Sequence, residues 1–226
     1  MKDVRTVLII PVYNEGQVIR KVVTNALKHF THIVCVNDGS SDNSVDEIKH
    51  TKAYLVDHPI NMGQGAALQT GIEFARGLPV DYFVTFDADG QHRIADVKQM
   101  IKELDRGDID IVLGSRFLGK AEGITGSKKA VLKLAIAFTN LTTGLHLTDT
   151  HNGLRTFNRK VAEEVQMTMS DMSHASEILE IIAQKKYRYK EIPVTIEYTD
   201  YSRSKGQSIM NAVNIGFDTL LRKMSK

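Results

Sequence analysis

The 226-residue chain has one cysteine, four prolines, almost no net charge and no long apolar run. Each shortage excludes something. Cys35, alone, cannot close an internal disulfide, and it lies in the apolar run IVCV, where a thiol behaves as a small buried hydrophobe. A reducing, cytoplasmic setting is expected. So few prolines leave no Pro-rich linker, and no repeat or low-complexity segment divides the chain, so residues 1–226 are expected to form one domain. Lys plus Arg (29) against Asp plus Glu (27) is too balanced for a binder driven by phosphate neutralisation, so no nucleic-acid partner is expected. The first apolar run follows MKDVRT without a charged leader or small-residue cleavage site, so no secretion signal is expected. A bilayer crossing needs about 20 mostly apolar residues. The stretch Leu134–Asn152, free of Lys, Arg and Glu, is broken by Thr, Asn, Gly, His and Asp149 and does not qualify.

What remains, at 42% hydrophobic and 25% charged, is the composition of an ordinary globular domain. Continuous apolar runs at Val7–Val12, Ile33–Val36, Ala53–Val56, Tyr82–Phe86 and Ile109–Leu113 have the pattern of strands buried on both faces of a parallel sheet. Helical patterns fall between them: after Gly16, from a Ser41 or Asp42 cap to about His50, and over Ala66–Arg76. Such alternation predicts an α/β fold, a mostly parallel Rossmann-like sheet flanked by helices. The second half is richer in helix, with Lys128–Thr143, Lys160–Met167, Ala175–Lys185 and Gln207–Met224, and has strands at Leu154–Phe157 and Arg188–Ile196.

Open sheets of this kind bind ligands at the carboxyl ends of their strands. Four polar clusters fall there. DADGQH (Asp87–His92) puts two carboxylates and Gln91 at one strand end, hard oxygen ligands for Mg²⁺ or Mn²⁺ beside a diphosphate. The same residues also suit a solvated turn whose aspartate caps the next helix. NDGSSDNS (Asn37–Ser44) offers Asp38 as an acceptor for the N–H groups of a base, or forms a turn and helix cap. In PVYNEG (Pro11–Gly16), Tyr13 can lie against a flat base and Glu15 can accept from a ribose or base. GSR (Gly114–Arg116) brings a guanidinium to a strand end, where it can grip phosphate with two parallel bonds; Arg155 in DTHNGLR and Arg203 and Lys205 in YSRSKGQS have the same chemistry. NMGQGAA (Asn61–Ala67) places glycines at a turn, but with Leu68 it fails GxGxxG, and GxxxxGK[ST] is absent, which removes the main support for a dinucleotide oxidoreductase or P-loop enzyme. The eight histidines form no HExxH pattern and are read as surface or capping residues, except His92 beside the acidic pair.

In this order, PVYNE, NDGSSDNS, NMGQGAA, DADGQH, GSR and DTHNGLR resemble the family-two glycosyltransferases of the glycosyltransferase-A fold, above all the dolichyl-phosphate mannose synthases and polyprenyl-phosphate sugar transferases. The resemblance implies a nucleoside-diphosphate sugar lying across the strand ends. Pro11, Tyr13, Glu15, Val36 and Asp38 would hold the nucleoside, with Asp87 and Ala88 near its ribose. Asp89 and Gln91, joined by Asp87, would bind Mg²⁺ or Mn²⁺, and Arg116 and Arg203 would hold phosphates. Asp89 and Arg116 would be the catalytic pair. The implied reaction is inverting displacement, moving a hexose from GDP-mannose or a UDP-sugar to a polyprenyl or dolichyl phosphate.

A lipid phosphate oxygen is already anionic and needs little general base, whereas a glycan or cell-wall hydroxyl acceptor needs a carboxylate, for which Glu177 is one candidate. The lipid is favoured by the last helix, where Ile209, Val213, Phe217, Leu220 and Met224 share one face. Residues 201–226 also carry Arg203, Lys205, Arg222, Lys223 and Lys226 against Asp218 alone, a charge that suits an anionic bilayer. Lys128, Lys129 and Lys133 around the apolar Ala130–Phe138 make a second interfacial helix. A peripheral position on the cytoplasmic membrane face is expected. The alternative use of these helices is packing on the core, or contact with a second copy of the chain or a membrane protein. The other readings are a non-catalytic nucleotide-sugar binding subunit and an Asp-x-Asp phosphatase; the latter would place its acidic pair on the first strand.

Overall fold

Consecutive residues of the first apolar run go to opposite faces of one sheet. Val7 and Ile9 enter one hydrophobic layer, and Leu8 and Ile10 enter the other. That two-sided burial is why the strand reads as continuously apolar rather than alternating. The computed structural model describes residues 2–121, 126–150, 152–169, 173–197 and 201. The strands are β1 (Asp3–Val12), β2 (Phe30–Asp38), β3 (Tyr54–His58), β4 (Tyr82–Thr85), β5 (Ile111–Ala121), β6 (Arg155–Asn158) and β7 (Tyr189–Ile196). They form one sheet in the order β3-β2-β1-β4-β6-β5-β7. All pairings are parallel except those of β6, which runs against both β4 and β5.

One face is covered by α3 (Gln64–Arg76), α6 (Arg159–Glu164) and α7 (His174–Lys185), which contribute Leu68, Ile72, Val161, Ile178 and Ile182 to the layer holding Val7 and Ile9. The other is covered by α1 (Ile19–Ala26), α2 (Ser44–Lys49) and α4 (Ile94–Leu104), through Ile19, Val23, Ile48, Val97 and Met100. Helix α5 (Gly126–Thr143) packs beside α7. The sheet is pinned where β4 meets β6: Phe83 and Phe157 stack with ring centroids 5.9 Å apart, both fully buried. Truncating such a ring costs about 3–5 kcal/mol.

The parallel α/β sheet read from the sequence is present, with β6 as its one reversal. Helix α4 carries Val97, Met100, Ile101 and Leu104 inward at helical spacing. Helix α6 stops at Glu164 instead of reaching Met167, because Val165 is extended and its carbonyl accepts Arg76 Nη2 at 2.9 Å. Cys35 is fully buried, and burial pushes its thiol up to about 12, as expected of an inert thiol. The Gln207–Met224 helix and Arg203 and Lys205 lie outside the described residues.

Candidate active site

Strand β1 has β2 on one side and β4 on the other, so the chain winds outward to β3 and then resumes across β1 at β4. Ligands bind at such a switch point, beyond the carboxyl ends of the strands. The loops after β1 and β2 are stitched together there. Ser40 Oγ accepts from Asn14 N at 2.9 Å, Asn14 Oδ1 from Ser41 N at 2.8 Å, Ser44 Oγ from Glu15 N at 2.8 Å and Asp42 Oδ2 from Gly16 N at 2.9 Å. Ser41 and Asp42, expected to cap the helix, fix the first loop instead: α2 is capped at Asn43 without a side-chain bond, and Asp42 Oδ1 accepts from Ser44 N just before it.

Tyr13 is 48% exposed beside this junction, and Glu15 Oε2 accepts from the Tyr201 hydroxyl at 2.6 Å. Pro11 is half-buried, level with Val36 in the ladder, and Val36 is fully buried, so it is the residues after Val36 that come up to the strand end. Asp38 is buried and its oxygens face inward: Oδ1 meets His58 Nδ1 at 2.9 Å and accepts from Met62 N at 2.8 Å, while Oδ2 accepts from Gly63 N at 2.8 Å. His58 Nε2 in turn contacts Thr70 Oγ1 at 3.0 Å. Asp38 thus shapes the 61–63 turn from within, and His58 is a buried strut rather than a surface residue.

The acidic turn follows β4. Gly90 sits at φ +76°, a left-handed conformation that lets the chain double back between Asp89 and Gln91. Asp87 Oδ2 meets His92 Nε2 at 2.8 Å and Oδ1 accepts from Gln64 Nε2 at 3.3 Å. Burial alone would push the Asp87 carboxyl up, but His92, Arg155 and His174 together hold it below the ordinary carboxylate range. Asp89 has the opposite fate: burial first, then the neighbouring Asp87 charge, pushes it up to about 6. Ala88 between them is buried in the core, and Gln91 is half-buried. Two neighbouring carboxylates, the Asp87 charge raising Asp89, with an amide beside them, are hard oxygen donors that fit a divalent cation, whose charge would relieve the repulsion. Among the described residues no group of three or more His, Cys, Asp or Glu forms a closed metal cage. An ion held here would take the rest of its shell from phosphate oxygens and water, the habit of Mg²⁺ and Mn²⁺ beside nucleotides.

The segment before β6 forms the back of this turn. Gly153 lies against Asp87, and a Cβ on it would collide with that carboxylate. Asp149 is buried and takes the fork of Arg116, with Nε at 2.7 Å and Nη2 at 2.8 Å. The two-pronged face that a phosphate would use on Arg116 is therefore closed on a protein carboxylate. Asp149 is itself held by Glu191, whose Oε1 accepts from Asp149 N at 3.0 Å. Arg155 is buried between Asp87 and Asp149. Glu177, the candidate general base, is buried on α7 and accepts from Thr168 N, Thr168 Oγ1 and Met169 N at 2.6–3.0 Å. Those bonds make it a brace for the 168–169 loop. His58, Gln64, Asp149, Gly153 and His174 are the site residues that the sequence reading did not assign; DTHNGLR was the visible signal for two of them.

A protein-family model, "Glycosyl transferase family 2", matches residues 7–166. The chain belongs to this family. It is 34% identical to the UDP-N-acetylglucosamine--dolichyl-phosphate N-acetylglucosaminyltransferase of Methanococcus voltae, over all of this chain and 99% of that protein. It is 25% identical to the polyprenol monophosphomannose synthase of Mycolicibacterium smegmatis, over 93% of this chain and 83% of the other. Glucosyl-3-phosphoglycerate synthase from Mycobacterium tuberculosis, solved with Mn²⁺ and UDP-glucose, superposes with a TM-score of 0.74 at 14% identity, covering 97% of this chain and 78% of that one. The family-two glycosyltransferase described here thus has the glycosyltransferase-A fold. Among its described residues no helix is long and apolar enough to cross a membrane.

Proposed function

We propose that this glycosyltransferase moves a sugar, with inversion, from a nucleoside-diphosphate sugar to a polyprenyl or dolichyl phosphate. The observation that carries the reading is the acidic pair at the switch point, Asp87 held ionised and Asp89 pushed up to about 6 by burial and its neighbour. Such a pair suits a cation and a diphosphate at the place where this kind of sheet takes a nucleotide. Mg²⁺ or Mn²⁺ held by Asp87, Asp89 and Gln91 would supply neutralisation of the charge that develops on the departing diphosphate. The 34% identical relative named for UDP-N-acetylglucosamine and dolichyl phosphate supports a UDP donor and a lipid phosphate acceptor.

The protein's own share is positioning. Tyr13 and Glu15 hold the nucleoside from β1, and Asp38 shapes the pocket floor. Pro11 near the end of β1, and Ala88 beside the ribose, complete it, with the fully buried Val36 supporting the strand from below. The attacking oxygen of a lipid phosphate is already anionic, so no carboxylate has to take a proton, and Glu177 is committed to the 168–169 loop. Arg116, within β5 and locked to Asp149, ties that strand to the segment before β6, and Arg203 remains a candidate phosphate contact. Helix α5 offers the bilayer an apolar stripe, with Leu134 72% and Leu141 85% exposed next to exposed Lys133. This supports a peripheral position on a membrane surface, and the cytoplasmic face is the side proposed.

Incubating the protein with membranes, Mn²⁺ or Mg²⁺ and radiolabelled UDP-N-acetylglucosamine or GDP-mannose is expected to label an organic-extractable lipid. Asp89→Ala is expected to abolish that signal. Label found only in soluble glycan would overturn the acceptor, and turnover undiminished by Asp89→Ala would overturn the metal site.

A further inference from the structure

We infer that Arg155, together with the Asp87 carboxylate, grips hydroxyl groups of the sugar being transferred. The inference rests on the proposed nucleotide-sugar reading and adds the residue that meets the sugar itself.

The first support is position. Strand β6 runs against its neighbours, so its first residue, Arg155, lies at the ligand edge, level with Thr85 of β4 and Leu113 of β5. Across that edge the sheet presents Asp38 at β2, Glu15 after β1, Asp87 and Asp89 after β4, and then Arg155 at β6. With the nucleoside over β2 and β1 and the diphosphate over β4, the next strand, about 4.8 Å on, underlies the group beyond the diphosphate. That group is the sugar.

The second support is an unmet need. Arg155 is only 3% exposed, yet among the described residues its guanidinium makes no hydrogen bond. The other buried or half-buried arginines are all engaged: Arg116 by Asp149, Arg76 by the carbonyls of Ala162 and Val165, and Arg159 by those of Leu78 and Val80. Its nitrogens are not among the fully enclosed unpaired side-chain atoms of the described residues, which belong to His32, His92 and Asn152, so its five N–H donors remain open to a ligand at this edge. Asp87 and Asp149 compensate its charge through space, but their oxygens are given to His92 and Gln64 and to Arg116.

The third support is chemical fit. An incoming anion would face two carboxylates along with the one guanidinium. A sugar hydroxyl is neutral and both donates and accepts, so vicinal hydroxyls can take the arginine fork on their oxygens and give a proton to Asp87. Gly153, with no side chain, lets the Asp87 carboxylate occupy that corner.

Titration calorimetry with UDP, GDP, UDP-N-acetylglucosamine, UDP-glucose and GDP-mannose, in Mn²⁺ buffer without acceptor, tests this. The wild type is expected to bind one sugar nucleotide more tightly than its nucleoside diphosphate. Arg155→Gln is expected to bind the diphosphate within about twofold of wild type and to lose about tenfold or more on the sugar nucleotide, the scale of one or two charge-assisted bonds. Arg155→Lys, which keeps the charge but not the fork, should fall between, and it carries the test if the glutamine variant does not fold. Equal loss on the diphosphate would make Arg155 a phosphate ligand and overturn the inference. So would unchanged sugar-nucleotide affinity, or a wild type that gains nothing from the sugar. A wild type that binds no nucleotide would overturn the proposed function itself, and this inference with it.

Discussion

Gly153 lacks a side chain where the Asp87 carboxylate needs the space, so a single methyl tests how much freedom the acidic turn has. Gly153→Ala is expected to lower kcat at least tenfold by displacing Asp87, with only a few degrees of change in Tm; unchanged kcat would show that the turn can move aside. Such individual contacts were the least legible part of the sequence. Asp38 and Arg116 were readable as a strand-end acid and base, but the partners that turn them inward lie far along the chain. Met62 and Gly63 close on Asp38 from 24 and 25 residues away, and Asp149 closes on Arg116 from 33. No local pattern says whether a polar side chain at a strand end faces a ligand or another loop. His58 shows the same limit, since only the fold brings it between Asp38 and Thr70.

Elements were far more legible, because the periodicity of apolar residues is set by what each face touches. Apolar runs such as VLIIPV, buried on two faces, could only be inner strands; six of the seven emerge within about four residues, while β5 runs on past Leu113 to Ala121 in its ladder with β7, so Arg116 lies inside the strand and not at its end. β6 was readable as a strand but not as a reversed one, since four residues carry no record of direction. Helix α5 was readable as amphipathic, and its outer face keeps Leu134 and Leu141 in solvent. Burying a leucine in apolar surroundings gains about 1.5–3 kcal/mol. Replacing both by serine is therefore expected to reduce co-sedimentation with phosphatidylglycerol vesicles at least tenfold while leaving calorimetric nucleotide binding intact. Undiminished co-sedimentation would remove α5 from the membrane contact.

On the scale of the whole molecule the sheet has a working end and a holding end. At the holding end, Asp110 accepts from Arg188 N at 2.9 Å and Nε at 3.1 Å, and from Asn158 Nδ2 at 3.3 Å, joining the starts of β5 and β7 to the end of β6. These bonds, the Arg188 side chain first, hold the Asp110 carboxyl down to about 2. A carboxyl depressed on folding stabilises the fold above its unfolded value, near 4, and loses that contribution as pH falls toward 2. With the exposed Arg188 discounted for solvent screening, the contribution is on the order of 1–2 kcal/mol. Asp110→Asn is therefore expected to be less stable than wild type in urea melts at pH 7, with the gap narrowing between pH 4 and pH 3. A gap independent of pH would mean that shape rather than charge makes the clasp.

The reversed strand β6 has a bearing on how such an enzyme can diversify. In a parallel strand the segment that builds the site comes after the strand; here it comes before, so Asp149 and residues 152–154 reach the ligand edge already anchored by β6 behind them. That stretch is a cassette: exchanged between relatives, it would carry its own glycine and aspartate to a fixed arginine and re-cut the far side of the pocket. The side built by β1 and β2 would stay untouched.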